Sequence, residues 1–332
     1  MIATAGQPPN DPDLGTVLIT GGAGFVGSHL VRALRLRGRH VVVYDLADEL
    51  PRHVLEVATG TTGAVTHVRA DVTDTERLAE VVARHDVRYV VNAAALLGEP
   101  AATRRPLDAL RVNAEVVWRL CELARRAGTI RRVLTISSRS VYGDQPHAES
   151  LTEDSRPRPD GVYGGSKAAG DLGAELYREH LGVDVVVARI TGPYGPGQRH
   201  QTDLLRMARA ACEGRPYDGG PRGDLPREYT YVKDITGALL VLLDTPRTRH
   251  CVYNVSAGVQ STLTEVAGAL RTALPDADLR RTPGSPSGAG RRATQSIQRL
   301  REEFGFCPRW SLVDGVGELV DWIRHGDYGL PV

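Results

Sequence analysis

Thr20 to Leu30 read TGGAGFVGSHL, and this stretch decides the fold. The residues before it, Val17 to Thr20 (VLIT), are apolar and largely β-branched, as a buried strand requires. Those after it, Phe25 to Arg37, carry helical spacing. Gly21, Gly24 and Gly27 therefore form a G-x-x-G-x-x-G turn between strand and helix, with Phe25 and Val26 at the junction. Glycines there bring backbone N–H groups close to a diphosphate at the positive end of a helix. The next strand, His40 to Asp45, ends on a carboxylate that can accept hydrogen bonds from both ribose hydroxyls and repel a 2′-phosphate. Leu46, Ala47 and Asp48 follow without a basic residue, so NAD is expected rather than NADP. The plain alternative for Asp45 is an ordinary strand-end turn residue, and Arg52 is the side chain that an NADP reading would have to invoke.

Outward from this loop, β-branched runs alternate with helical patterns as far as Ile190. Strands are predicted at Val17 to Thr20, His40 to Asp45, Val65 to Arg69, Tyr89 to Ala93, Arg132 to Ser137 and Val183 to Arg189, with helices at Phe25 to Arg37, Thr75 to His85, Pro106 to Ala127 and Gly161 to Leu181. The pattern is that of βαβ units: an α/β, doubly wound parallel sheet (Rossmann) whose ligand sits at the carboxyl ends of the strands. After Ile190 the sequence becomes richer in Gly and Pro, with helices near Thr202 to Glu213, Thr236 to Leu243, Leu263 to Ala273 and Asp314 to His325. We expect a flexible N-terminus at 1–13 and an NAD-binding domain at 14–190, completed by about 228–257 with a return to the sheet near Cys251 to Val255. A smaller, mostly helical substrate-binding cap takes 191–227 and 258–332. Arg281 to Arg292 (RTPGSPSGAGRR) reads as a mobile surface loop. No internal repeat is visible.

Composition narrows the class. In 332 residues, 41% are apolar, 24% charged and 5% aromatic, which describes a globular chain with a substantial core. No apolar run is long enough to span a membrane and the first residues lack the pattern of a leader, so a cytoplasmic protein is expected. A formal charge of +1 gives no electrostatic case for nucleic acid or an anionic membrane. Cys121, Cys212, Cys251 and Cys307 have no metal-ligand or redox spacing, which fits buried thiols, and no metal site is expected. Trp118, Trp310 and Trp322 read as core anchors. Only Lys167 and Lys233 are lysines, every other basic residue being arginine.

That scarcity draws attention to Tyr163-Gly-Gly-Ser-Lys167. On a helix, positions four apart share a face, so phenol and ammonium lie together. With eleven tyrosines and two lysines, random placement yields only about 0.07 such pairs. An ordinary phenol titrates too high to be a base at neutral pH, but a neighbouring lysine and an oxidised nicotinamide both favour the phenolate. Tyr163 is thus the candidate acid and base, Lys167 its partner and a ligand of the nicotinamide ribose. Ser138, at the end of an earlier strand, would hold and polarise the substrate oxygen. Asp71 and Val72 close the third strand, where a side chain reaches the adenine; a helix N-cap is the other reading of Asp71.

These residues belong to a longer series: TGGAGFVGSHL, the Asp45 strand end, NAAA from Asn92, Asn113 in its helix, SSRSVYG from Ser137, YGGSK from Tyr163, YGPGQ from Tyr194, REYTYVKD from Arg227 and YNVSAG from Tyr253. In kind and order the series resembles the extended short-chain dehydrogenase/reductase superfamily, in particular its NAD-dependent sugar epimerase and dehydratase branch, from about Thr16 to His325. The resemblance implies that Ser138, Tyr163 and Lys167 are catalytic and that Ala93, Ala94 and Asn113 join the cofactor site. It also implies that Arg227, with Arg291 and Arg292, meets a substrate diphosphate; the plain reading of Arg227 is a surface ion-pair residue. For His29 and Asn113, helix packing stands beside any chemical role.

Departures from the pattern bear on the reaction. Dehydratases of the branch carry acidic residues just after the catalytic Ser/Thr, where this chain has Arg139 and Ser140, so elimination of water is not expected. Many nucleotide-sugar enzymes of the branch have an asparagine where this chain has Gly192. Arg139, Ser140 and Gly192 accordingly join Ser138 and Arg227 as candidate substrate-pocket residues. The expected function is an NAD-dependent sugar epimerase acting by transient oxidation and re-reduction of a hydroxyl, with a nucleotide-linked sugar as the favoured substrate. The alternative is a dehydrogenase or ketoreductase of the same superfamily acting on a non-nucleotide alcohol or hydroxy acid. The helices at Pro106 to Ala127 and Gly161 to Leu181 are, by resemblance, those that pair two subunits, so a homodimer is expected.

Overall fold

The computed structural model describes residues 15–56, 63–145, 149–217, 224–279 and 293–326. Its centre is a seven-stranded sheet of β1 (Thr16–Thr20), β2 (Val41–Asp45), β3 (Val65–Arg69), β4 (Val87–Asn92), β5 (Arg132–Ser138), β6 (Val185–Ile190) and β7 (Val252–Val255). The order is β7-β6-β5-β4-β1-β2-β3, and every pairing is parallel. The predicted strands are all present, and β7 is the expected return near Cys251. Parallel strands covered on both faces need apolar side chains on both; Val17, Leu18 and Ile19 of β1 are all fully buried.

One face packs on Phe25–Leu36 and Val232–Asp244, through Leu30, Val31 and Leu34 against Ile235, Leu239 and Leu243. The other packs on Val116–Ala127 and Val162–Leu181, through Val117, Leu120, Cys121 and Ala174. A third apolar cluster joins Asp203–Cys212, Leu263–Ala273 and Leu312–His325 around Tyr194 and Tyr231. Two short parallel pairs, Pro193–Tyr194 with Thr230–Tyr231 and Ser150–Leu151 with Thr294–Gln295, tie these later segments together and back to the loop after β5. The chain reverses its winding between β1 and β4, and the crevice for a dinucleotide opens at such a switch point.

Several expectations are corrected. Pro106 to Ala127 is not one regular helix: Arg111–Glu115 forms a π turn, which swings Asn113 toward the loop after β4. Trp118 is 38% exposed, its indole N–H donating to the Ala169 carbonyl, while Trp310 and Trp322 do pack on the third cluster. Of the cysteines, Cys121 is buried but Cys307 is exposed. The 1–13 segment and the Arg281 to Arg292 stretch lie outside the described residues, and with the latter go Arg291 and Arg292. Among the described residues, no helix is long and apolar enough to cross a membrane, and no group of three or more His, Cys, Asp or Glu is placed to hold a metal ion.

Candidate active site

The glycine loop is shaped by close backbone approach. A Cβ on Gly27 would lie 2.3 Å from the Gly21 carbonyl oxygen, and one on Gly21, which has φ +67°, would lie 2.6 Å from the Ala94 backbone nitrogen. The loop thus closes on the start of Phe25–Leu36 and against the Ala93–Ala94 turn, leaving a side-chain-free cradle at a helix N-terminus. That shape fits a diphosphate. Asp45 is fixed beside it: its carboxylate accepts from the Ala23 N–H at 2.9 Å and the Ala47 N–H at 3.0 Å. Arg69, at the end of the adjacent β3, pairs with Asp48 at 2.9 Å. A carboxylate held in place disfavours a second anion, so Asp45→Ala is expected to narrow the preference for NAD over NADP. Fluorescence titration of both cofactors checks this, and tighter NADP binding by the unmodified protein would contradict it.

Asp71 does not cap a helix. Its carboxylate accepts from the Thr73 N–H and hydroxyl, both at 2.8 Å, while Asp74 caps Thr75–Arg84 through the Arg77 N–H at 3.0 Å. Asp71 stays exposed at the end of β3, next to buried Val72. Asn113 braces the loop after β4: its amide oxygen accepts from the Leu96 N–H at 2.9 Å, and its amide nitrogen donates to the Leu96 carbonyl at 3.1 Å and the Ser166 hydroxyl at 3.0 Å. Its side chain therefore shapes the loop after β4 through Leu96. His29, buried at 6% exposure, bonds the Pro196 carbonyl at 2.9 Å, and burial pulls its imidazole down to about 3. It is a neutral packing residue linking the first helix to the YGPGQ loop.

Tyr163 and Lys167 stand one turn apart on Val162–Leu181, as the spacing required. Ser138, at the carboxyl end of β5, lies beside the Tyr163 phenol, and its hydroxyl accepts from the Ser140 N–H at 3.1 Å. The electrostatics differ from the sequence expectation: burial pushes the Tyr163 phenol up to about 12, with the Ser138 contact working against it. Lys167 is 5% exposed and donates to the Ile136 carbonyl at 2.9 Å, and burial pulls its ammonium down to about 8. A phenol in this setting becomes a base only with positive charge beside it, which protonated Lys167 and an oxidised nicotinamide supply.

A pH dependence follows. Lys167 carries its charge below about pH 8 and loses it above, so turnover is expected to fall as pH rises through that region. Its folded value lies below its unfolded one, so folding gains stability over the same rise. A pH series of initial rates and of urea midpoints checks both, and an alkaline limb far from pH 8 would contradict the assignment.

Two supports were not found from sequence. Glu99 caps Val162–Leu181 from elsewhere in the chain, its carboxylate accepting from the Val162 N–H at 2.7 Å and the Tyr163 N–H at 3.0 Å. Asp171, one further turn along the same helix face, is 3% exposed and pairs with Arg189 of β6 at 2.8 Å. The signal available for Asp171 was its spacing: Tyr163, Lys167 and Asp171 are each four apart.

On the substrate side, Arg139 is 7% exposed and turned into the protein, donating to the Ala293 carbonyl at 3.1 Å and facing Glu228 at 3.7 Å. Ser140 is half-buried beside Ser138, Gly192 is exposed, and Arg227 is half-buried in the segment leading to Thr230–Tyr231.

Residues 17–256 match the family model described as the NAD dependent epimerase/dehydratase family. The chain belongs to that family. It is 32% identical over 316 residues to dTDP-glucose 4,6-dehydratase of Streptomyces niveus, covering 93% of this chain and 92% of the relative. It is 29% identical over 311 residues to UDP-glucose 4-epimerase of Mycolicibacterium smegmatis, covering 93% and 98%. Among solved structures it is similar to MoeE5 in complex with UDP-glucuronic acid and NAD (30% identity, TM-score 0.79, 94% of this chain and 99% of that one). The NAD complex of Thermus thermophilus UDP-glucose 4-epimerase superposes with TM-score 0.79 at 28% identity, covering 94% and 99%. The chain is an NAD-dependent enzyme of the epimerase/dehydratase family, and its glycine cradle and Asp45 are the cofactor's expected seat.

Proposed function

We propose that this family member is a nucleotide-sugar epimerase working by transient oxidation and re-reduction of one hydroxyl, with Ser138, Tyr163 and Lys167 as its catalytic residues. One observation carries the reading: Tyr163 faces Ser138 at the carboxyl edge of the sheet, while the positions after Ser138 hold Arg139, turned away into a buried ion pair, and Ser140. A proton can be taken from and returned to one oxygen, but no carboxylate stands after Ser138 to eliminate water. Bound on the cradle, NAD supplies the hydride acceptor and donor for the reacting carbon. Ser138 orients the substrate hydroxyl, Tyr163 accepts its proton and later gives it back, and Lys167 holds positive charge behind the phenol. Gly21, Gly24, Gly27 and Asp45 seat the diphosphate and ribose, with Phe25, Val26, Val72, Ala93 and Ala94 around them.

Arg227 is proposed to grip the substrate diphosphate, a guanidinium fork suiting phosphate oxygens. Arg227→Ala is then expected to raise KM about ten- to a hundredfold with little change in kcat, and UDP or dTDP to compete with substrate. Steady-state kinetics with a UDP- or dTDP-hexose test this directly. Absence of inhibition by either nucleotide, together with unchanged kinetics in Arg227→Ala, would favour the alternative, a dehydrogenase on a non-nucleotide substrate. Gly192 is the residue favouring that alternative, since it offers no side chain to a phosphate.

We also propose a homodimer through Pro106–Leu110 and Val162–Leu181. Leu107, Leu110 and Leu172 are 75%, 48% and 53% exposed there and would supply apolar surface to such a contact.

A further inference from the structure

Arg139 and Gly192, two of the three residues at which this chain departs from the family pattern near Ser138 and Arg227, meet at one residue, Glu228. Gly192 has φ +50°, and a Cβ there would lie 1.8 Å from the Glu228 carbonyl oxygen. Its own carbonyl accepts from the Thr230 N–H at 2.9 Å. The glycine thus lets the Glu228 backbone press directly on the end of β6. From the other side, the Glu228 carboxylate, 2% exposed, accepts from the Ser256 hydroxyl at 2.5 Å and the Gln295 N–H at 3.0 Å, with the Arg139 guanidinium 3.7 Å away. Arg139 is the residue directly after Ser138, and Arg227 the residue directly before Glu228. Arg227 is itself tied across to Ser261, through its N–H at 2.9 Å and its carbonyl at 2.7 Å.

We infer that Arg139, Glu228 and Gly192 form a strap that fixes the segment carrying Arg227 against the catalytic end of β5, and that Arg139 is a positioning residue for substrate rather than a ligand of it. The inference rests on the proposed diphosphate grip only for its effect on affinity. The strap is a matter of packing: a buried carboxylate needs its cation, and removing one partner leaves the other charge uncompensated. Arg139 therefore sets the distance between the oxygen that Ser138 holds and the anion that Arg227 meets, two groups from separate parts of the chain.

The test uses the full chain with NAD bound, and two substitutions that strike the strap from opposite sides, Arg139→Leu and Gly192→Ala. Hydrogen exchange is read at the Arg227 and Ser261 amides, and binding of UDP and dTDP by calorimetry. In both variants these two amides are expected to exchange at least about tenfold faster, UDP or dTDP to bind about tenfold more weakly, and NAD retention to stay unchanged. Should Arg139→Leu not fold, Arg139→Lys keeps the charge but not the reach to both Glu228 and Ala293, and the same readings apply. Unchanged exchange at both amides overturns the strap. Faster exchange with unchanged UDP and dTDP affinity overturns the positioning role. If the unmodified protein binds neither nucleotide, the proposed diphosphate grip fails, and the exchange rates alone decide the strap.

Discussion

Tyr163→Phe is expected to lower turnover by about 10²- to 10⁴-fold, the usual contribution of a positioned acid and base, while NAD affinity stays within a few-fold. The substitution removes one oxygen and keeps the ring, so the packing around Val162–Leu181 persists. Lys167 keeps its bond to the Ile136 carbonyl. What is lost is the phenol beside Ser138, a group that can both take and return a proton. Single-turnover measurement of cofactor reduction, alongside NAD titration, separates the two effects. Near-normal rates with substrate would mean that the proton moves elsewhere and that the catalytic assignment is wrong.

Asp171→Ala is expected to cost about 3–5 kcal/mol of stability, the range for removing one partner of a buried ion pair. Asp171 and Arg189 are 3% and 1% exposed, and Arg189 also donates to the Tyr142 hydroxyl at 3.0 Å. Burial raises the Asp171 carboxyl while Arg189 draws it back down. Without the carboxylate, a guanidinium is left in the interior with a phenol for a neighbour. Against a domain stability of roughly 5–15 kcal/mol, that loss approaches the whole margin. Asp171→Leu combined with Arg189→Met, which removes both charges, is expected to be milder than either alone. Urea unfolding measures all of these, and a loss below about 0.5 kcal/mol in Asp171→Ala would show that the pair is not the buttress of the catalytic helix.

These residues also show what could be read from sequence. The glycine turn, Asp45 and the Tyr163/Lys167 pair were legible because each depends on spacing within one strand, turn or helix. The six strands through Ile190 were legible because a sheet covered on both faces demands β-branched runs. Asp171 was not, since an acid on a helix reads by default as a solvated face, and only β6 arriving from further along the chain buries it. Glu99 lies far from the helix it caps, and nothing in its neighbourhood marks it. The π turn at Arg111–Glu115 leaves no periodic trace within a helical run. Arg139 was noticed as a departure, but its direction was set by Glu228 and Ala293, neither of which is near it in sequence.

The central claim is that one carbon is oxidised and re-reduced with the cofactor ending unchanged. A UDP- or dTDP-hexose deuterated at the ring carbon that inverts, incubated with the protein and a trace of NAD, tests it most directly, with the products read by NMR and mass spectrometry. The expected result is an epimer at that carbon that keeps its deuterium, with no net NADH. A product lighter by one water, deuterium lost to solvent, or NADH accumulating in step with product would contradict it.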